Sequence, residues 1–421
     1  MKLNATLNFD LVAVEEEDTV HVLLELTAPT LETQTARAPA TVQIVLDRSG
    51  SMADGRLHAA LQAIDSLSSR LRPEDRLGLV VFDDNVAVPV AAGEIGDGNA
   101  VRQVLPQIYP GGMTNLSGGL LRGIQEAQRA ANGDGATLLL LSDGHANQGV
   151  TEHNRLGEFA AGARNAGITT STIGIGLGYD EDLLAALSRG GAGNTHFAED
   201  GDAAGAHLAS EVEGLLESTV QAASLTVKPS ADVQAVRVFN DLPASAIEDG
   251  FMVELGDFYA GETRRLLLEV DVPAIAALGL TDVCDLELRW VDVGSMKSEV
   301  ATIPLNVNVV PGDQAAGRTA DPEVETELVF QQAQRAKREA TDALRDGDQT
   351  RATDIYRAAS QRLRKVQASA GPKMAPMLAA EADLLEDMAR DSFIDPVSVR
   401  KQARADYNLK ARKRGREDPL A

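Results

Sequence analysis

The stretch VQIVLDRSGSM, residues 42–52, decides the fold class of this chain. Its first five residues are mostly branched and apolar, which is typical of a strand buried on both faces. The strand is predicted to end at Asp47, and a tight turn then places Ser49 and Ser51 before a helix that begins near Gly55. One carboxylate and two hydroxyls at the end of a buried strand suit Mg²⁺, which prefers oxygen ligands.

Two other segments carry polar residues in a loop or at the end of an apolar run, as the first segment does. The Gly-rich loop GGMTNLSGGL, residues 111–120, contains Thr114, and the apolar run LLLLSDG, residues 138–144, ends at Asp143. Taken alone, Asp-x-Ser-x-Ser is a weak pattern, because Asp and Ser are also common helix N-caps, and capping stays open at this point. If these strands are neighbours in one parallel sheet, all three clusters meet at one edge.

The chain around these segments alternates apolar runs with amphipathic stretches. The runs VQIVL, RLGLVVF, ATLLLLS and ITTSTIGIG are separated by helical patterns such as LHAALQAIDSLSSRL. This alternation predicts an α/β doubly wound, mainly parallel sheet with helices on both faces. Sheets of this kind bind ligands at the carboxyl ends of their strands.

At this point the sequence resembles the von Willebrand factor A (VWA) domain over residues 40–220. The metal-ion-dependent adhesion site (MIDAS) of that family has five positions, which are matched here by Asp47, Ser49, Ser51, Thr114 and Asp143. A short hairpin pair around RLGLVVFDDNVAVPV also fits the resemblance. The implied fold is Rossmann-like, and the implied role is a binding module.

The resemblance also implies how a metal would be held. In the family the two serines typically coordinate the ion directly, the threonine directly or through water, and the carboxylates often through water. A partner's Asp or Glu completes the shell. The metal is expected to be Mg²⁺, with Mn²⁺ or Ca²⁺ as alternatives, and no catalytic or organic-cofactor residues are implied. His145 is expected near the metal face as a solvated loop residue, and Asp83–Asn85 is expected to form a turn.

The flanking segments show a different pattern. Residues 1–30 and 222–310 contain about eight stretches of alternating apolar and polar residues, which predict antiparallel strands. We expect one discontinuous β-sandwich with the VWA domain, residues 38–221, inserted between its second and third strands. Cys284 and Trp290 are expected in the sandwich core.

The C-terminal part is predicted to be helical. Residues 320–392 fit a three-helix bundle, and a tetratricopeptide hairpin is disfavoured because no second copy of the repeat is present. The segment 393–421 is predicted to be a basic tail, with eight basic and three acidic residues between positions 397 and 418. Two interpretations stay open: a solvated helix or flexible end that folds back loosely on the acidic surface of the protein, or a segment that docks to an acidic partner or anionic membrane. Truncation after Ile394 is expected to barely change thermal stability.

Composition excludes several classes of function. With 39 basic and 63 acidic residues the formal charge is −24, which disfavours general binding to nucleic acid or anionic lipid. A single cysteine excludes an intramolecular disulfide and a thiolate cluster. The sequence shows no signal-peptide pattern and no apolar run of about 20 residues, so a cytoplasmic location is expected.

Three functional hypotheses remain in competition. The first is a non-enzymatic scaffold or adaptor that uses a Mg²⁺-dependent MIDAS to bind an acidic residue of a partner protein. The second follows from a resemblance to cytosolic bacterial VWA proteins and is a co-factor of a MoxR-type AAA+ ATPase. The third is a metal-dependent hydrolase, which is disfavoured because the sequence offers no convincing general base and no nucleotide-binding, protease or kinase motif.

Overall fold

The computed structural model describes residues 1–421 except 31–38, 134, 144–145, 177–178, 199–202, 204–205, 209–217, 231–232, 234, 296, 373 and 413–421. The chain forms two compact units. Unit one comprises Met1–Thr30 with Thr219–Ala421, and unit two comprises Leu31–Ser218. No helix in the described part of the chain is long and apolar enough to cross a membrane.

The described strands, in chain order, are β1 (Lys2–Leu7), β2 (Leu11–Ala13), β3 (Asp18–Thr27), β4 (Thr41–Asp47), β5 (Arg76–Phe82), β6 (Val86–Glu94), β7 (Ala136–Ser142), β8 (Ile168–Ile175), β9 (Ala192–Ala198), β10 (Ser218–Pro229), β11 (Ala235–Val238), β12 (Ala244–Ile247), β13 (Gly250–Tyr259), β14 (Thr263–Val272), β15 (Gly279–Asp292) and β16 (Lys297–Val310).

The described α-helices are α1 (Arg56–Ser68), α2 (Asn99–Val104), α3 (Leu116–Ala131), α4 (His153–Asn165), α5 (Glu181–Gly190), α6 (Gly312–Ala315), α7 (Pro322–Arg345), α8 (Gln349–Gln367), α9 (Met374–Asp391) and α10 (Pro396–Arg412). Short 3₁₀ turns lie at Gly50–Met52 and Leu105–Gln107.

Unit two is built on one sheet with the order β6-β5-β4-β7-β8-β9. Its neighbours are parallel except for the antiparallel pair of β5 and β6. Every residue of β4 is buried, and alternate residues serve different layers: Ile44 packs in the core that includes α1, and Val45 packs in the core that includes α3. Burial on both faces explains the continuous apolar runs and confirms the α/β doubly wound prediction for this unit.

Two glycines let helix α3 lie directly on the sheet. A Cβ atom at Gly119 would lie 2.5 Å from Phe82 Cδ1, and one at Gly123 would lie 2.2 Å from Val45 Cγ2. These positions are four residues apart and therefore share one face of the helix. Their low helix propensity is offset by this close packing, which fixes the helix that follows Thr114 against β4 and β5.

Unit one contains two sheets. The first has the order β1-β3-β14-β11, and the second has the order β12-β13-β10-β15-β16-β2. The described pairings are antiparallel except that β2 is parallel to β16. Side chains from both sheets contribute to one core, which includes Leu24, Leu286 and, as predicted, Cys284 and Trp290.

Two of these strands differ from the sequence prediction. The alternation from Leu3 to Leu11 predicts a single strand, but Asn8 interrupts it because its side-chain oxygen accepts hydrogen bonds from the backbone of Phe9 and His21. Strand β12 was not predicted, since all four of its residues are exposed and show no apolar alternation.

The helical region has a fourth long helix where a basic tail was predicted. Helix α10 carries a stripe of buried side chains at four-residue spacing: Val399, Ala403, Tyr407 and Ala411. Val399 and Ala403 belong to the core that α7, α8 and α9 form. The predictions of a three-helix bundle and of a tail from residue 393 are therefore wrong up to Arg412, because the small buried residues Ala403 and Ala411 lie beside basic residues that conceal the buried face.

Buried charges also tie α10 to the other helices. The Lys337 ammonium, which is fully buried, donates to Glu381 on α9 and to Asp406 on α10. Lys410 of α10 lies 2.6 Å from Glu381 and 2.8 Å from Asp406. Burial opposes ionisation of Glu381, but the two lysines outweigh it and hold its pKa well below the usual range.

The expectation that truncation after Ile394 barely changes stability is therefore wrong for this packed helix, and the truncation should strongly destabilise unit one. It removes the apolar stripe of α10 and leaves Lys337 without Asp406 and Glu381 without Lys410, and breaking a buried ion pair costs about 3–5 kcal/mol. Urea unfolding monitored by circular dichroism measures the decrease in the free energy of unfolding. Truncation after Arg412 is the matched control because it keeps the helix, and equal stability of both truncated chains would contradict the packing of α10.

Candidate metal centre

The candidate site lies where the strand order of the unit-two sheet reverses. The chain starts the sheet at β4 and then adds β5 and β6 on one side and β7 to β9 on the other. Strands β4 and β7 are adjacent and parallel, so Asp47 at the end of β4 and Asp143 just after β7 lie at the same edge. Open α/β sheets form a ligand-binding crevice at such a switch point.

The first loop brings three of the predicted residues together. The Ser49 backbone N–H donates to Asp47 Oδ1 at 2.8 Å, and the hydroxyls of Ser49 and Ser51 lie 3.1 Å apart. Buried Met52 anchors the 3₁₀ turn that holds Ser51. None of the three residues caps helix α1, whose N-cap is Gly55 without a side-chain hydrogen bond, so the capping interpretation is wrong.

The second loop places Thr114 beside the first. The Gly50 N–H donates to the Gly112 carbonyl at 3.2 Å, and the Gly111 N–H donates to the Arg48 carbonyl at 2.8 Å. Gly112 has φ +71°, and a Cβ atom there would lie 1.9 Å from Asp84 Oδ1, so this turn requires glycine. The Thr114 N–H donates to Asn147 Oδ1 at 2.8 Å, which joins the loop to the segment after Asp143.

Asp143 joins the cluster through Ser51. The Ser51 hydroxyl donates to Asp143 Oδ1 at 2.8 Å, and the Arg56 guanidinium donates to Asp143 Oδ2 at 2.7 Å. The Asp143 side chain has 0% of its surface exposed. Asp47, Ser49, Ser51 and Asp143 thus form one hydrogen-bonded chain, and Thr114 lies on the loop that contacts it.

The burial of the carboxylates is electrostatically costly. Desolvation by burial raises the pKa of Asp47 above its ordinary value, and the charge of Asp143 acts in the same direction. Hydrogen bonds from the Ser142 hydroxyl, at 2.6 Å, and from Ser49 oppose the shift without cancelling it. Ionisation of Asp47 is therefore less favourable in the folded protein than in water, and a cation beside it would offset that cost.

The side chains of the five predicted ligands offer only oxygen atoms as donors. They comprise two buried carboxylates and three hydroxyls, and Ser51 and the neighbouring Gly112 and Met113 are exposed, so the cluster opens to solvent. In the described part of the chain no three His, Cys, Asp or Glu side chains form a group that could hold a metal ion. A metal here would depend on the hydroxyl oxygens, a set that suits a hard ion such as Mg²⁺.

Several residues that support the site were not predicted. Arg48 lies inside the Asp-x-Ser-x-Ser stretch and pairs with Asp83 at 2.8 Å, which fixes the end of β5 to the first loop. The predicted turn at Asp83–Asn85 is confirmed, since Asp83 Oδ1 accepts from the Asn85 N–H at 2.7 Å. Asp83 comes directly after a buried strand, and Asp47 is the last residue of one, a similarity that could have linked Asp83 to the site. His145 lies outside the described residues.

Residues 42–211 match the family model described as von Willebrand factor type A domain. The chain therefore contains a VWA domain. The whole chain is similar in fold to a solved von Willebrand factor type A protein from Catenulispora acidiphila, with a TM-score of 0.74, 17% identity and coverage of 99% of this chain and 97% of that one. The ArnB paralog VWA2 from Sulfolobus acidocaldarius aligns with a TM-score of 0.64 and 14% identity, covering 97% and 98% of the two chains.

Among curated proteins, the uncharacterized protein sll0103 of Synechocystis sp. is 26% identical over 345 residues, which cover 77% of this chain and 79% of that protein. Two further relatives are matched over only 40% and 17% of their own lengths. These similarities place the VWA domain within a larger chain that has additional sheets and a C-terminal helical region, as in the solved structures.

In the presence of chelator, Asp47→Asn should make the VWA domain more stable at neutral pH. Because the folded state raises the pKa of Asp47, ionisation costs folding free energy. That cost is absent at low pH, where Asp47 is protonated in both states, and grows as pH rises from 3.8 through the raised pKa. An Asn side chain lacks the charge, its oxygen can accept from the Ser49 N–H, and its NH₂ group can donate to the Ser142 hydroxyl in place of the present bond.

The measurement is a series of urea titrations in chelator from acid to neutral pH. The exposed Asp84, next to Gly112, supplies the control variant Asp84→Asn with the same change in charge. A variant at position 47 that is less stable than wild type at neutral pH would contradict the assigned cost of the buried carboxylate.

Proposed function

We propose that the VWA domain holds Mg²⁺ at Asp47, Ser49, Ser51, Thr114 and Asp143, and that the protein uses this ion to bind an acidic residue of a partner protein. The observation that carries the proposal is the hydrogen-bonded cluster of Asp47, Ser49, Ser51 and Asp143 at the switch point of the sheet, with both carboxylates buried and Thr114 on the adjoining loop. VWA domains typically mediate protein–protein interactions, which agrees with such a role.

Charge explains why an acidic partner would be preferred. Arg56 is paired with Asp143 in this site. Two carboxylates, one guanidinium and a divalent cation together carry a net charge of +1, although the chain as a whole carries −24. A local positive centre on an acidic surface would select carboxylates and would leave other anionic surfaces repelled at longer range.

The surroundings of the opening support a protein ligand. Tyr109 and Met113 lie on the loop that leads to Thr114, and 69% and 48% of their surfaces are exposed. Large apolar side chains beside a charge-binding site are typical of protein interfaces. The described groups that contact the five residues, Ser142, Arg56 and Asn147, are poor general bases, so we propose an adaptor and not an enzyme.

We propose the remaining domain assignments as part of the same scaffold. Residues 1–30 and 222–310 would form a β-sandwich into which the VWA domain is inserted, because strands from both segments share one core. The helical region would bind a second protein, for which a MoxR-type AAA+ ATPase is the candidate. Exposed Phe393 and Ile394 just before α10 and exposed Val397 in its first turn support a protein contact there. A cytoplasmic location, which suits a chain with one cysteine, is also part of the proposal.

Affinity capture should yield a partner with wild type in Mg²⁺ that is absent with Asp47→Asn and absent with wild type in chelator. The control Asp84→Asn should retain it, because that carboxylate lies outside the five donors. Competition with a short Asp-containing peptide should release the partner, whereas the same peptide with Asn should not.

A variant with Phe393→Ser and Ile394→Ser separates the second contact. It should keep the Mg²⁺-dependent partner and lose a protein that binds through the helical region. Capture that is identical in Mg²⁺ and chelator would contradict the metal-dependent function.

A further inference from the structure

We propose that Arg56 is a built-in counter-cation of the metal site: it competes with the divalent ion for Asp143 and thereby sets the metal affinity of the VWA domain. This inference rests on the proposed function. Arg56 is not one of the five donors, and its role follows from its contacts, its exposure and its place on helix α1.

The contacts show that Arg56 neutralises one of the two buried carboxylates. Its Nη1 lies 2.7 Å from Asp143 Oδ2 and 2.7 Å from the Ser51 carbonyl oxygen. Because the Ser51 hydroxyl donates to the other oxygen of Asp143, both oxygens of that carboxylate are engaged. A cation that approaches Asp143 therefore meets a group that is already paired.

The position of Arg56 in its helix makes this pairing dependent on Asp143. Arg56 is the first residue of α1, and the first turn contains no acidic residue. A cation at a helix N-terminus is disfavoured by the helix dipole. The carboxylate of Asp143 compensates for the unfavourable interaction between Arg56 and the helix dipole. A divalent ion that neutralises Asp143 would remove this compensation.

The guanidinium also has room to leave. The Arg56 side chain has 39% of its surface exposed, whereas the Asp143 side chain has none. Gly176 lies against the arginine, and a Cβ atom there would be 3.1 Å from Arg56 Nε. Gly176 has φ +75°, a conformation in which glycine is favoured, so the space beside the guanidinium is kept clear. If the guanidinium separates from Asp143, its charge would move into solvent and not into the core.

The second arginine near the donors does not share this role. Arg48 is paired with Asp83 at 2.8 Å, a carboxylate outside the five donors, so its charge is balanced whether or not a metal is bound. Arg56 instead shares its carboxylate with the proposed ion. Its positive charge therefore opposes metal binding and, once an ion is bound, favours an acidic partner.

The test is a calorimetric titration of Mg²⁺ alone into the full chain. Arg56→Gln should lower the Kd for Mg²⁺ about tenfold, since it removes a neighbouring positive charge at a partly screened site. Arg56→Met, which removes the charge at similar length, should act in the same direction. Arg56→Lys should stay within about threefold of wild type because it keeps the charge.

A control variant and a second readout make the result specific. Arg102→Gln changes the net charge equally, and its contacts lie with residues 97–99. It should leave the Kd unchanged. In chelator, Arg56→Gln should melt below wild type because Asp143 loses its partner, and Mg²⁺ should then raise its melting temperature by more than it raises that of wild type.

The outcomes separate the two proposals. If wild type binds Mg²⁺ and Asp47→Asn does not, but the neutral Arg56 variants bind with unchanged or weaker affinity, the role of Arg56 is refuted and the metal site stands. If wild type shows no saturable binding that Asp47→Asn abolishes, the metal site itself fails and the role of Arg56 fails with it.

Discussion

Two carboxylates buried at one sheet edge impose the main constraint on this protein. Asp47 and Asp143 lie at the ends of adjacent parallel strands, where they are removed from water and repel each other. An isolated ionised carboxylate in such a place is strongly unfavourable unless it is paired or hydrogen-bonded. Ser49, Ser51, Ser142 and Arg56 supply those partners in the structure.

The rest of the VWA domain holds this arrangement in place. Strands β4 and β7 are buried along their whole length, which fixes both ends of the site, and glycines of α3 allow that helix to contact the sheet directly. The loop with Gly111 and Gly112 hydrogen-bonds to the loop with Arg48 and Gly50, so Thr114 is set by backbone contacts. Burial of the two carboxylates costs folding free energy, and a bound cation would offset that cost, which supports the proposed binding function.

Much of the fold and of the donor set could be predicted from the sequence. Strands buried on both faces leave continuous apolar runs, and the polar residues that end them, such as Asp47 and Asp143, must meet if the strands are neighbours. Arg56 could not be predicted, because its partner lies 87 residues away and an arginine at a helix start has no periodic signal. The packing of helix α10 was missed because its buried residues include two alanines beside basic residues, and β12 was missed because none of its residues is buried. Binding of a metal to the five donors stays a prediction.

Anomalous diffraction from crystals grown with Mn²⁺ tests the central claim most directly, since Mn²⁺ has oxygen preferences similar to those of Mg²⁺ and can be located by its own signal. The account predicts one peak among Asp47, Ser49, Ser51, Thr114 and Asp143. It also predicts that the Arg56 guanidinium then lies farther from Asp143 than the 2.7 Å seen here. A peak elsewhere, or no peak with the Arg56–Asp143 pair intact at saturating Mn²⁺, would contradict it.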